Sequence, residues 1–94
     1  LATRMREAGV SPAARIEAGF RLATGRAPGT RERRLLEGAL VRQEAYFRGD
    51  PQRARDYLAS GGETGMSGDE AIELAALQSA ASLILNLDET ITRE

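Results

Sequence analysis

Histidine and cysteine are both missing from the 94 residues, so the side chains able to do chemistry reduce to carboxylates, arginines, hydroxyls and two tyrosines. Without His the usual neutral-pH general base is gone. Without Cys these residues contain no thiolate metal site, no disulfide and no covalent c-type haem attachment. Asp88 and Glu89 are adjacent carboxylates beside Asn86, a pattern that raises the question of a cation. Two neighbours in a turn are too few ligands for a defined Mg²⁺ or Ca²⁺ cage, so a structural role is favoured. Ser79 and Ser82 lie on a helix with no base to activate them, and close helix packing explains them better than nucleophilic catalysis. The stretch Gly61-Gly62-Glu63-Thr64-Gly65-Met66-Ser67-Gly68 lacks the Gly-Lys-Ser/Thr of a phosphate loop and has no strand before it, which makes it a connector. Ser11, Thr30 and Ser67 are accounted for as helix caps. The reading is non-enzymatic, with no catalytic, metal or cofactor-binding residue.

All thirteen basic residues are arginines. Residues 1–58 carry twelve of them against seven acids, a net of +5, and residues 59–94 carry one against seven, a net of −6. The simplest meaning is that two halves of one bundle attract each other. The rival is a nucleic-acid surface: Arg31, Arg33, Arg34 and Arg42 on one helix, with Arg53 and Arg55 on the next, have the outline of a helix-turn-helix. Against it, Glu32, Glu37 and Glu44 interleave with these arginines at the i,i+3 and i,i+4 spacing of a solvated, self-paired face. The net charge of −1 is also far from that of a typical nucleic-acid binder.

The elements that would hold these groups are all helical. Residues 69–86 contain no Gly or Pro, are rich in Ala and Leu, and follow Ser67 with Glu70 three residues on, a capping-box pattern. At about 100° per residue Ile72, Ala76, Ala80, Leu83, Ile84 and Leu87 share a broad face while Leu74, Ala81 and Leu85 cover much of the other. A helix so widely apolar belongs at the centre of a bundle, with Ala75, Ala76, Ser79, Ala80 and Ser82 letting neighbours approach. It is interrupted by Glu73, Gln78 and Asn86 and is too short for a membrane span of about 20 residues. Upstream, residues 1–8 read as a helical remnant ended by Gly9 in the left-handed C′ conformation. Ser11-Pro12 starts a helix as cap and first turn, with Ala13, Ile16, Phe20 and Ala23 as its inner stripe, Phe20 buried, and Gly25 as its stop. Thr30 caps a helix running to about Arg48, whose wide face is Leu35, Leu36, Ala39, Leu40, Gln43, Tyr46 and Phe47. Asp50-Pro51 starts a short helix with Ala54, Tyr57 and Leu58 inward. The expected fold is all-α: four main helices plus the remnant, with the C-terminal helix central.

Carboxylates beyond a helix C-terminus sit in an unfavourable field. Asp88 and Glu89 are therefore expected to bind Arg26 or Arg21, near the end of the Ser11-capped helix, fastening residues 87–91 across it.

Phe20-Arg21-Leu22-Ala23-Thr24-Gly25-Arg26-Ala27-Pro28, the long helix ending in Phe47-Arg48-Gly49-Asp50-Pro51, the Tyr57-Leu58 helix, and Asn86-Leu87-Asp88-Glu89-Thr90 together resemble the C-terminal end of the large planctomycete cytochrome-c-domain-containing proteins. The resemblance implies a fragment of a larger exported, periplasmic-type protein of uncharacterised biochemistry whose haem c lies elsewhere in the parent chain; the enzyme alternative is that the whole parent is an electron-transfer or degradative enzyme to which this domain contributes a wall. It transfers no catalytic residue. The expectation is a non-catalytic helical interaction or support module that packs on the rest of its parent or on a protein partner. Because the aliphatic core is thin, with only two Phe, two Tyr and no Trp, the expectation is either marginal stability as a monomer or self-association.

Overall fold

The computed structural model describes residues 1–60 and 68–92, the side chains of residues 88–92 excepted. They form five helices: α1 (Ala2–Glu7), α2 (Pro12–Thr24), α3 (Thr30–Gly49), α4 (Pro51–Ser60) and α5 (Gly68–Thr92). No strand occurs among them. The fold is a small all-α bundle.

Local chemistry sets most of the boundaries. Ser11 Oγ accepts the Ala14 N–H at 3.1 Å, with Pro12 in the first turn of α2. At the other end Gly25 takes φ 79°, and its N–H reaches the Arg21 carbonyl at 2.9 Å. That left-handed backbone is why glycine stands there. Asp50 closes α3 and opens α4, its Oδ1 accepting the Gln52 N–H at 3.2 Å. Two expected caps differ. Thr30 lies inside α3, and the cap is Gly29, whose N–H donates to Glu32 Oε1 at 2.9 Å. The Glu32 carboxylate, three residues on, thus satisfies the N–H of the cap residue itself, the reach-back half of a capping box. Gly9 does not take a left-handed conformation; α1 ends through Ala8, whose N–H returns to the Met5 carbonyl. Ser67 lies outside the described residues.

α5 touches each of the other four helices. Those four form a string around it, α1 on α2, α2 on α3, α3 on α4, while α1 and α4 make no contact with each other among the described residues. The core around α5 is aliphatic, from Met5, Ile16, Leu36, Leu40, Leu58, Leu77 and Ile84, with Phe20 as its one fully enclosed aromatic. Ala71, Ala75, Ala76, Ala80 and Ala81 are buried on α5 and bring its neighbours close. Gly19 does the same between α1 and α2: a Cβ there would stand 2.6 Å from Met5 Sδ.

The central helix is longer than the sequence pattern implies. It continues through Leu87 and Asp88 to Thr92, so the expected separate tail is its last turns. Twenty-five residues span about 37 Å at 1.5 Å per residue, close to the 39 Å long axis of the molecule. α5 therefore runs the length of the molecule. Residues 71–77 are enclosed nearly all round, whereas beyond Ala80, among the described side chains, only Ala81, Ile84 and, in part, Leu87 face the core. Leu83, expected on the buried face, is 38% exposed, and Leu85 is 51% exposed. The helical period was read correctly, but burial needs a neighbour as well as a face. For the same reason Leu35, Tyr46 and Ala13 turn out exposed at the margins of stripes whose centres, Leu36, Phe47 and Ile16, are buried.

Candidate functional site

The most concentrated polar chemistry lies where α1, α2 and α5 meet. Ser11 and Pro12 fix the first turn of α2 and so place Arg15 one turn in, directed back beneath the α1–α2 connection. Arg15 Nε donates to the Gly9 carbonyl at 2.7 Å, and its terminal nitrogen pairs with Glu73 Oε1 on α5. Arg6 of α1 approaches the other carboxylate oxygen, Nε to Oε2 3.5 Å. The Arg15 side chain is 9% exposed and that of Glu73 28%. A guanidinium this enclosed is tolerable only when paired and hydrogen-bonded, and here one carboxylate and one carbonyl do both. The node ties three helices together. Gly9 contributes its carbonyl to the node, and a Cβ there would stand 3.2 Å from the Ala14 Cβ, a close approach that glycine permits.

Beside the node opens a cleft of about 320 Å³ between α2, α3 and α5, lined in part by Arg15, Glu44, Arg48, Asp69 and Glu73. Its charges are mixed and Arg15 and Glu73 are committed to each other. Glu44 and Arg48, four residues apart on α3, form no ion pair among the described residues. No group of three or more carboxylates is placed to hold a metal ion among the described residues. This arrangement joins helices; it does not align a nucleophile with a base.

Phe20 and Arg26, expected as structural candidates, do meet. The Arg26 guanidinium lies 4.7 Å from the centre of the enclosed Phe20 ring, and it clamps Glu32 through two parallel bonds, Nη1 to Oε1 3.1 Å and Nη2 to Oε2 3.0 Å. That fork-to-fork geometry is the one in which arginine is strongest. The Arg26 bonds, then the Gly29 N–H, hold the Glu32 carboxyl below its ordinary 4.5. The clamp closes residues 25–29, which carry the Gly25-Arg26-Ala27-Pro28 motif, onto the first turn of α3. Arg21 pairs with Glu17 at 3.8 Å, one turn back on α2, and Arg33 of α3 reaches the same carboxylate at 3.1 Å. The side chains of Asp88 and Glu89 lie outside the described residues, and with them the expected fastening to Arg21 or Arg26. Their backbone is within α5, not beyond its end.

On α3 the expected i,i+3 and i,i+4 pairs between Glu and Arg do not form among the described residues. Glu32 is turned to Arg26, Glu44 to the cleft and Glu37 toward α2. Arg53 instead bonds the Tyr46 hydroxyl at 3.0 Å and approaches Asp50 at 3.4 Å. Arg55 donates to Gln52 at 3.4 Å. A second polar-aromatic surface results: Phe47 packs edge-on to Tyr46, ring centres 5.2 Å apart, and tilted against Tyr57 at 5.6 Å.

Arg15 and Glu73 are the residues that sequence reasoning missed. The available signal was Glu73 itself, a carboxylate between Ile72 and Leu74 in a helix apolar nearly all round, which had to find a cation somewhere in the bundle. Compared with models of known families, with curated proteins and with solved structures, the chain matches none.

Proposed function

We propose that the chain is a non-catalytic helical module that supports or binds another protein surface. The observation that carries this reading is the apolar end of α5. Leu83 and Leu85 are exposed on either side of the enclosed Ile84, and Leu85 joins Leu1 and Tyr57 along the opening left between α1 and α4. The polar groups support the same reading. Arg15, Glu73, Arg26 and Glu32 are spent joining one helix to the next, which is structural work. On the resemblance of residues 20–28, 47–51 and 86–90 to the planctomycete cytochrome-c-domain proteins, the surface covered would be the rest of a larger exported, haem-containing chain, or a protein partner of it.

The test is the double variant Leu83→Gln, Leu85→Gln, followed by thermal melting and by sedimentation over a range of concentrations. On this reading melting is unchanged within a few degrees, while binding to the remainder of the parent chain, or self-association, weakens. Unfolding of the variant would place both leucines in the core and remove the observation.

A second reading, an Arg-rich nucleic-acid binder, is favoured by one finding: Arg31, Arg34 and Arg42 are exposed and free of ion pairs with described residues. It is weakened by the joint between α3 and α4, which is the single residue Asp50 where a helix-turn-helix uses about three or four. Arg53 is also occupied by Tyr46 and Asp50.

A further inference from the structure

The outward face of α3 carries a pattern that the interleaved sequence hides. At 100° per residue Arg31, Arg34, Leu35, Gly38, Arg42 and Ala45 fall within one sector of about 100°. All are exposed except Gly38, which is half-buried. No acid falls in this sector, because Glu32, Glu37 and Glu44 project to the flanks. Along one edge of it runs a groove of about 600 Å³ between α3 and the first turn of α2, whose floor is Pro12, Ala13, Gly38 and Val41 and whose basic side is Arg34 and Arg42. Val41 is 53% exposed, and Leu35, 54% exposed, adds apolar surface on the far side of the arginines. Glu37 is the one carboxylate in the lining and sits on the α2 side. The first turn of α2 contributes no acid.

We propose that this groove is the seat of an acidic amphipathic helix from a partner protein. The inference rests on the module reading above and names its partner's chemistry. Charge complementarity selects the occupant: two arginines with no ion pair among the described residues, and a third, Arg31, further along, present fixed positive charge that an acidic partner neutralises on docking. The apolar surface selects a helix over a phosphate backbone, since Pro12, Ala13 and Val41 in the groove and Leu35 beyond the arginines gain only from covering by other apolar side chains. Gly38, at mid-groove, leaves the floor low. A Cβ there would stand 3.2 Å from Arg42 Nη1, so glycine both deepens the groove and lets the Arg42 head lie along it. A helix with Leu or Ile at i, i+3/i+4 and i+7 and Asp or Glu beside them fits both demands.

The experiment uses the whole chain and labelled probes read by fluorescence anisotropy. The probes are a synthetic helical peptide with Leu on one face and Glu on the other, the same peptide with Lys for Glu, and a duplex and a single-stranded oligonucleotide. The Glu peptide is expected to bind, more weakly as salt rises. Binding is expected to fall roughly tenfold or more in Arg34→Glu, Arg42→Glu and to drop clearly in Val41→Asp, while Leu85→Gln leaves it unchanged. The milder pair Arg34→Gln, Arg42→Gln, checked for folding by circular dichroism, should reduce the salt dependence even if the charge reversal perturbs the fold. Four results would overturn the assignment: no binding of the Glu peptide, equal binding of the Lys peptide, tighter binding of either oligonucleotide lost in the same variants, or self-association of the chain that these variants abolish. Failure here with the Leu83, Leu85 result intact discards the acidic helix and leaves the module; failure of both discards the module.

Discussion

Replacing Glu73 by Met should cost more than replacing its partner Arg15 by Met, and replacing both should recover most of the loss. The asymmetry comes from what each substitution leaves behind. With Glu73→Met the Arg15 guanidinium, 9% exposed, keeps only the Gly9 carbonyl at 2.7 Å, and an enclosed charge stands uncompensated. Breaking a buried pair this way costs about 3–5 kcal/mol when both groups are fully enclosed. Glu73 is 28% exposed and water reaches the pair, so the discounted figure is about 2–3 kcal/mol. With Arg15→Met, Glu73 still has Arg6 at 3.5 Å and solvent, and the new side chain retains much of the buried stem, for a loss of about 1 kcal/mol. The double variant has no charge left to bury and should sit within about 1 kcal/mol of the parent, since apolar replacement of a buried pair is often neutral or stabilising. For a domain of this size 2–3 kcal/mol corresponds to a melting shift of roughly 10–20 °C. Urea denaturation followed by circular dichroism gives the free energies directly. If Glu73→Met melts beside the parent, or if the double variant is no better than Glu73→Met alone, the node is not what holds α1, α2 and α5 together.

Glu32→Gln should cost about 1 kcal/mol at neutral pH. Because the folded carboxyl titrates below its ordinary 4.5, its contribution is present above that value and is lost as pH falls through the folded value; the gap between parent and variant in urea titrations should close in acid and not in base. Leu83→Ala, at a 38% exposed site, should cost under about 1 kcal/mol, whereas Leu77→Ala, at a fully enclosed one, should cost about 2–5 kcal/mol; equal losses in thermal melts would contradict the one-sided burial of the end of α5. Gly19→Ala should destabilise by about 1–3 kcal/mol through its collision with enclosed Met5, and Met5→Ala in the same chain should add less than its own single cost, a non-additivity that a double-mutant cycle reads.

The elements were legible in the sequence because their signals are local. Ser11-Pro12, Gly25 and Asp50-Pro51 act on backbone groups within a few residues of themselves, and they mark the ends of α2, α3 and α4 whatever the rest of the chain does. The Ala- and Leu-rich composition of residues 69–86 likewise made that helix the centre, since a helix apolar on nearly every side has no other stable position. Thr30 misled because α3 starts one residue earlier than its hydroxyl suggested: the cap is Gly29, whose N–H is met by the Glu32 carboxylate.

Tertiary structure decided everything that depends on which neighbour is present. Periodicity says that Leu83 shares a face with Ile84, but only the placement of the neighbouring helices says that Ile84 is enclosed while Leu83, at the margin of that face, is 38% exposed. Spacing allowed Glu32, Glu37 and Glu44 to pair with arginines of their own helix. Arg26 in the preceding loop took Glu32, while Glu44 and Glu37 project to the flanks, beside the cleft and beside α2, and the outer face of α3 is left basic. The pairing of Arg15 with Glu73 joins positions 58 residues apart in the chain, and no local pattern encodes it. What the sequence did contain was the demand, one carboxylate set among aliphatic side chains; the bundle chose the arginine that meets it.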